Sequence, residues 1–215
     1  MKKTLYSLML NEDVVREVDV LAHRLGTNRS NLVNRILAEY VGLDTPEQRI
    51  NDIFRRVEQL LSGDRELVPY INPNATSLSV KSSLQYRYRP TVKYSVELYR
   101  DHRAALGELS VLFRTQSSEL LAAMESFFQS LINIETRLLA PLLPGPVSYT
   151  LSEGRFTRSI VLSTGRTGSS TDIANALSAY VRLFDSLMKA SLAGADETTL
   201  ARQYTQWIRA GNTVL

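Results

Sequence analysis

The amino-acid sequence predicts an α+β protein: an N-terminal strand with two helices, a linker helix, then an antiparallel sheet covered by helices. Three observations carry the prediction. Residues 5–43 combine one period-two run with two apolar stripes at helical spacing, each stripe closed by a glycine. Residues 76–113 hold runs that alternate apolar and polar side chains. From Ser117 onwards a wide apolar face recurs at the helical period. The chain divides accordingly into residues 1–44, a linker helix and loop over 45–74, and an α+β part over 75–215.

In the first run, Thr4 to Leu10, the side chains of Tyr6, Leu8 and Leu10 share one side of a strand and Leu5, Ser7 and Met9 the other. Asn11 then offers an N-cap, and Glu12 and Asp13 stand in a first turn where the helix dipole favours anions. Val14, Val18, Leu21 and Leu25 give that helix one apolar stripe, which Gly26 ends. Asn28 can cap a second helix with Leu32, Ile36 and Tyr40 as its stripe, flanked by Val33 and Leu37 and closed by Gly42.

A unit of about forty residues buries too little apolar surface to stand alone, and its strand needs a ladder partner; dimerisation meets both needs. Strand, Asn-capped helix, glycine turn and second Asn-capped helix together resemble the MetJ/Arc ribbon-helix-helix family over roughly the first 43 residues, in pattern rather than in identity. The resemblance implies a homodimer whose paired strands enter the major groove of double-stranded DNA, while amides at the start of the second helix hold phosphate. By position, the base-facing residues are then Leu5, Ser7 and Met9. The phosphate-binding set is Asn28, Arg29 and Ser30, with Lys2 and Lys3 adding affinity for the backbone. In one respect the chain departs from the family, whose ribbons usually present polar or basic side chains to the bases. Here only Ser7 is polar, and Leu5 and Met9 suit thymine methyl groups or packing on protein equally.

Thr45 or Asp44 caps the linker helix, with Pro46 in its first turn. Its apolar face is Ile50, Ile53, Phe54, Val57, Leu60 and Leu61, which either packs on its own chain or extends the dimer as a helical seam. Pro69, Asn72, Pro73 and Asn74 mark the boundary. Three strands are expected next: Val80 to Tyr88, Val92 to Leu98, and Leu109 to Phe113. A helix follows with Leu120, Leu121, Met124, Phe127, Phe128, Leu131, Ile134 and Leu138, broken by Pro141 to Pro146. Val147 to Leu151 and Phe156 to Leu162 read as a hairpin around Glu153 and Gly154, and two more helices complete the chain.

Composition narrows function without choosing it. The chain of 215 residues is 44% hydrophobic, ordinary for a globular protein. A net charge of +3 and a pI near 9.2 permit nucleic acid without requiring it. With no cysteine, disulfide frameworks, thiolate catalysis and Cys-based zinc sites are excluded, which suits a cytoplasmic setting. The start MKKTLYSLML resembles a signal peptide, but its apolar run stops at Asn11-Glu12-Asp13, and no run approaches the roughly 20 residues that span a bilayer, so no membrane association is expected. His23 and His102 stand far apart without a carboxylate-rich pair, and no nucleophile with a base can be picked out. Neither a metal, a cofactor nor an enzymatic activity is therefore expected.

A second basic region lies on and around the first two expected strands. Lys81, Arg87, Arg89, Lys93, Arg100 and Arg103 face only Glu97 and Asp101, with Tyr86, Tyr88, Tyr94 and Tyr99 interleaved. Such a face can track phosphates and stack bases, or it can be the solvated side of a half-buried sheet, with the tyrosines in the core. Arg166, in the loop from Ser163 to Thr171, could join amides at the next helix start in holding an anion; a loop ended by a Ser or Thr cap explains the same residues. Together these readings predict a dimeric DNA-binding transcriptional regulator with a C-terminal oligomerisation or sensing domain. The alternatives are a plasmid-partition or relaxosome accessory that nucleates an assembly on DNA, and an adaptor for RNA or protein that uses the N-terminal unit only to dimerise.

Overall fold

A computed structural model of the chain describes residues 5, 7–43, 45–71, 76–84, 90–100, 105–152, 154–161, 163 and 168–212. It begins with two helices, α1 (Glu12–Arg24) and α2 (Arg29–Tyr40). The expected caps form: the Asn11 side chain accepts from the Asp13 amide at 3.1 Å and that of Asn28 from the Asn31 amide at 2.9 Å. Gly26 and Gly42 leave the two helices in the left-handed region, at φ 61° and 69°, where a side chain would be strained. No strand is found among residues 5 and 7–10, in contrast to the expectation. The physical reason is that a strand needs a ladder partner, and none pairs with this segment among the described residues.

Helix α3 (Pro46–Leu61) starts on a reciprocal cap in which the Thr45 hydroxyl accepts from the Gln48 amide at 3.2 Å, while the Gln48 side chain accepts from the Thr45 amide at 2.9 Å. Ile50, Ile53, Phe54, Val57 and Leu61 are all buried in the chain's own core. Of the two readings of this helix, packing on its own chain is the one realised. The stretch expected to be linker and boundary also contains β1 (Leu67–Ile71), paired with β2 (Ser77–Ser83). Pro69 sits within β1, and β1 is an edge strand, where a missing amide proton is tolerated.

The rest of the sheet is β3 (Thr91–Leu98), β4 (Gly107–Phe113), β5 (Tyr149–Ser152) and β6 (Arg155–Ile160), in the order β1-β2-β3-β4-β6-β5 with every pairing antiparallel. Six strands thus replace the five expected, and β6 stops at Ile160, two residues early. Register places Leu78 and Val80, Val92 to Leu98 at alternate positions, Leu109 to Phe113 likewise, and Phe156, Arg158 and Ile160 on one face. Against that face pack α3, α4 (Ser118–Leu138) and α5 (Ser170–Leu192), with α6 (Glu197–Arg209) on α4 and α5 and an aromatic centre in which Phe128 stacks on Phe156 at 4.7 Å. α5 begins at a capping box between Ser169 and Asp172, so the serine-rich loop ends in a cap as one of its two readings expected. Among the described residues no helix is long and apolar enough to cross a membrane.

Candidate functional site

The N-terminal helices are unlike the remainder. α1 buries only Ala22 and α2 only Leu32, although both carry full apolar stripes. Val14, Leu21, Ile36, Leu37, Tyr40, Val41 and Leu43 are exposed. In the preceding segment Leu5 is 97% and Met9 101% exposed, against 54% for Leu8 and 45% for Leu10. All the described residues of this segment, Leu5 and Ser7 to Leu10, are exposed.

Of the expected phosphate-binding residues, Asn28 is engaged as the α2 cap and Ser30 is exposed in its first turn. Arg29 does something the sequence did not suggest. Its Nε donates to Asp19 Oδ1 at 2.6 Å and its Nη2 to Asp19 Oδ2, a two-point pair that fastens the start of α2 to α1. The hydrogen bonds from Arg29 hold the Asp19 carboxyl below its usual range, and the same bonds raise Arg29. What stays available at this helix start is the set of first-turn amides of Arg29 and Ser30, which lie beyond the reach of the helix's own carbonyls. Lys2 and Lys3 lie outside the described residues.

The second basic face falls partly within the described residues. Lys81 and Lys93 are register partners on the open side of β2 and β3, both exposed. Next to them on the same side run Ser79, Ser95, Ser110, Thr157 and Thr150, one hydroxyl from each of five strands in a single register row. Arg155 lies on this side too, donating to the Ser110 hydroxyl at 2.9 Å and pairing with Glu108 at 3.8 Å. Arg100 pairs with Glu47 at 3.1 Å, and Tyr99 donates to Glu108 at 3.2 Å. Tyr94 belongs to the core, donating to Asp185 at 2.7 Å, while Tyr86, Arg87, Tyr88, Arg89, Arg103 and Arg166 lie outside the described residues.

The polar centre that sequence reasoning missed is buried. Glu135 on α4 accepts at Oε2 from Arg158 Nε and from the Tyr149 hydroxyl, both at 2.8 Å. At Oε1 it accepts from Tyr180 at 2.5 Å and Tyr204 at 2.9 Å. The guanidinium of Arg158 also lies 4.5 Å from the Tyr180 ring centroid. Burial, followed by the Glu135 charge, pushes the Tyr149 and Tyr204 hydroxyls up; burial also dominates for Tyr180, partly opposed by Arg158. With four donors converging on it, the carboxylate is held as an acceptor and ties α4, β5, β6, α5 and α6 together. Its signal was legible: Glu135 follows Ile134 on the buried face of α4, and Arg158 falls between the inward Phe156 and Ile160.

Among the described residues no cluster of His, Cys, Asp or Glu is arranged to hold a metal. No protein-family model, no curated protein and no solved structure matches the chain.

Proposed function

We propose that the chain is a dimeric DNA-binding regulator of the ribbon-helix-helix type, in which residues 5–10 pair antiparallel with the same segment of a second copy. The observation that carries the reading is the contrast in burial: α3 and the sheet close a core on themselves, whereas α1 and α2 bury one residue each and leave Val14, Leu21, Ile36 and Tyr40 of their stripes exposed. A second copy supplies both the ladder and the missing apolar surface. DNA then lies across the outward side of the ribbon, with its phosphates on the first-turn amides of α2. The α+β part serves as the module for oligomerisation, sensing, or capture of a protein or RNA partner, and the sheet face that bears the exposed Lys81 and Lys93 is the surface for that role.

One observation favours a different reading, the adaptor that dimerises without DNA: Arg29 is committed to Asp19 and so is withdrawn from phosphate. The separating experiment is fluorescence anisotropy of the full chain with a pool of random-sequence DNA duplexes at several salt concentrations. Binding should weaken steeply with salt, and Ser30→Glu should reduce affinity more than about tenfold and flatten the salt slope by about two, one for each half of the dimer. A glutamate in the first turn favours the helix itself, so the fold is preserved. A dimer that ignores the pool at low salt would establish the adaptor instead.

A further inference from the structure

We infer that the open side of the sheet binds single-stranded RNA, with its phosphates on Lys81 and Lys93; this rests on the reading of the α+β part as a capture module and is independent of the N-terminal unit. The two lysines are register partners on β2 and β3, and both are exposed. Like charges directly opposite one another weaken a sheet, and an anion lying across the pair relieves the repulsion. The neighbouring cations are engaged, Arg100 with Glu47 and Arg155 with Glu108. Among the described residues no carboxylate pairs with Lys81 or Lys93.

Register orders this face into three rows that cross the strands. The first carries Lys81, Lys93 and Arg155, the second is the hydroxyl row, which Tyr70 extends onto β1, and the third carries Glu97 and Glu108. Ser79 and Ser110 are only 9% and 3% exposed, so the row of short side chains is the floor of a trough about 24 Å long across six strands. The order cation, hydroxyl, carboxylate matches phosphate, ribose and base in a nucleotide strand laid along the trough. Phosphates meet the lysines, and the 2′-hydroxyl, a donor and an acceptor, meets side chains of the same kind. The exposed Glu97 accepts from base amino groups, which a duplex already uses in pairing. Tyr70, 60% exposed, and Tyr99, 37% exposed beside Glu108, are platforms on which bases stack. The acids do not cancel the lysines: Glu97 stands four residues along β3 from Lys93, about 13 Å and beyond the screening length of about 8 Å, and Glu108 is already held by Arg155 and Tyr99.

The test is fluorescence anisotropy of the full chain with a labelled random-sequence RNA single strand of about 16 nucleotides, at several salt concentrations. Lys81→Gln with Lys93→Gln removes the repulsion together with the charges, so the fold is kept. This double variant should weaken RNA binding more than about tenfold and flatten the salt slope by about 1.4, the share of two phosphate contacts on a single strand. Tyr70→Leu should weaken binding about fivefold or more at an unchanged slope, because stacking carries no charge. The same pool made as single-stranded DNA should bind more weakly than the RNA. Ser30→Glu, in the N-terminal unit, should leave RNA binding as it is, so RNA binding without duplex DNA binding would remove the DNA-binding reading alone. Duplex DNA binding without RNA binding would overturn this inference alone. Equal affinity for the RNA and DNA single strands would overturn it, as would unchanged binding by the double variant. Displacement of the RNA by polyglutamate at equal charge would assign the lysines to an acidic protein and overturn it as well.

Discussion

Replacing Arg158 with Met should leave a carboxylate buried without its counter-charge, at a cost of about 3–5 kcal/mol. Glu135→Gln strands the guanidinium in turn, and the expected cost is of the same order, about 3–5 kcal/mol. Both groups are fully buried and bonded at 2.8 Å, so water cannot relieve either loss. The double variant behaves differently. Its amide oxygen still accepts from Tyr180 and Tyr204, its amide nitrogen can donate to the Tyr149 oxygen, and no charge remains at this centre. Its cost should be about 2–4 kcal/mol, against about 6–10 for the two single changes added together. The assay is urea unfolding followed by circular dichroism, with free energies from linear extrapolation. Single costs that add to within about 0.5 kcal/mol would refute the claim that the pair acts as one unit.

Two further outcomes follow from the same core. Tyr94, Tyr180 and Tyr204 are held well above the ordinary phenol range, with burial the largest cause in each. A raised folded-state value means that this contribution is whole below about pH 10, where the unfolded chain also keeps its protons, and is lost as pH rises beyond it. By pH 11 the loss is about 1.4 kcal/mol for each tyrosine, about 4 in all, and should show as a lower urea midpoint with a further rise in tyrosinate absorbance on unfolding; an unchanged midpoint would contradict it. At Gly107 a Cβ would stand 1.9 Å from the Glu97 carbonyl oxygen on the paired strand, backbone against backbone. Gly107→Ala should therefore cost at least about 3 kcal/mol by thermal unfolding, and a loss under about 0.5 would contradict the register.

How much of this was legible in the sequence depended on whether the deciding partner was near in the chain. The helix caps at Asn11, Asn28 and Thr45 are local, and so are the alternation of Val92 to Leu98 and the wide face of α4; all were readable from spacing. β1 was not, because Pro69 reads as a breaker until the strand is known to lie at a sheet edge. Nor was the role of Arg29, whose partner Asp19 lies on the preceding helix and faces it only once the glycine turn has folded the two together. The Glu135 centre joins residues from five elements. Only two charges at inward positions, Glu135 and Arg158, mark it in the sequence.

The claim on which the functional account turns is that a second copy completes the N-terminal unit. Light scattering of the full chain at micromolar concentration tests it most directly. The account predicts twice the 24.2 kDa chain mass, and a return to the chain mass on Leu8→Asp, which places a charge in the shared apolar layer. A parent chain that scatters as a single 24.2 kDa species would contradict the ribbon, the dimer and the DNA-binding reading built on them.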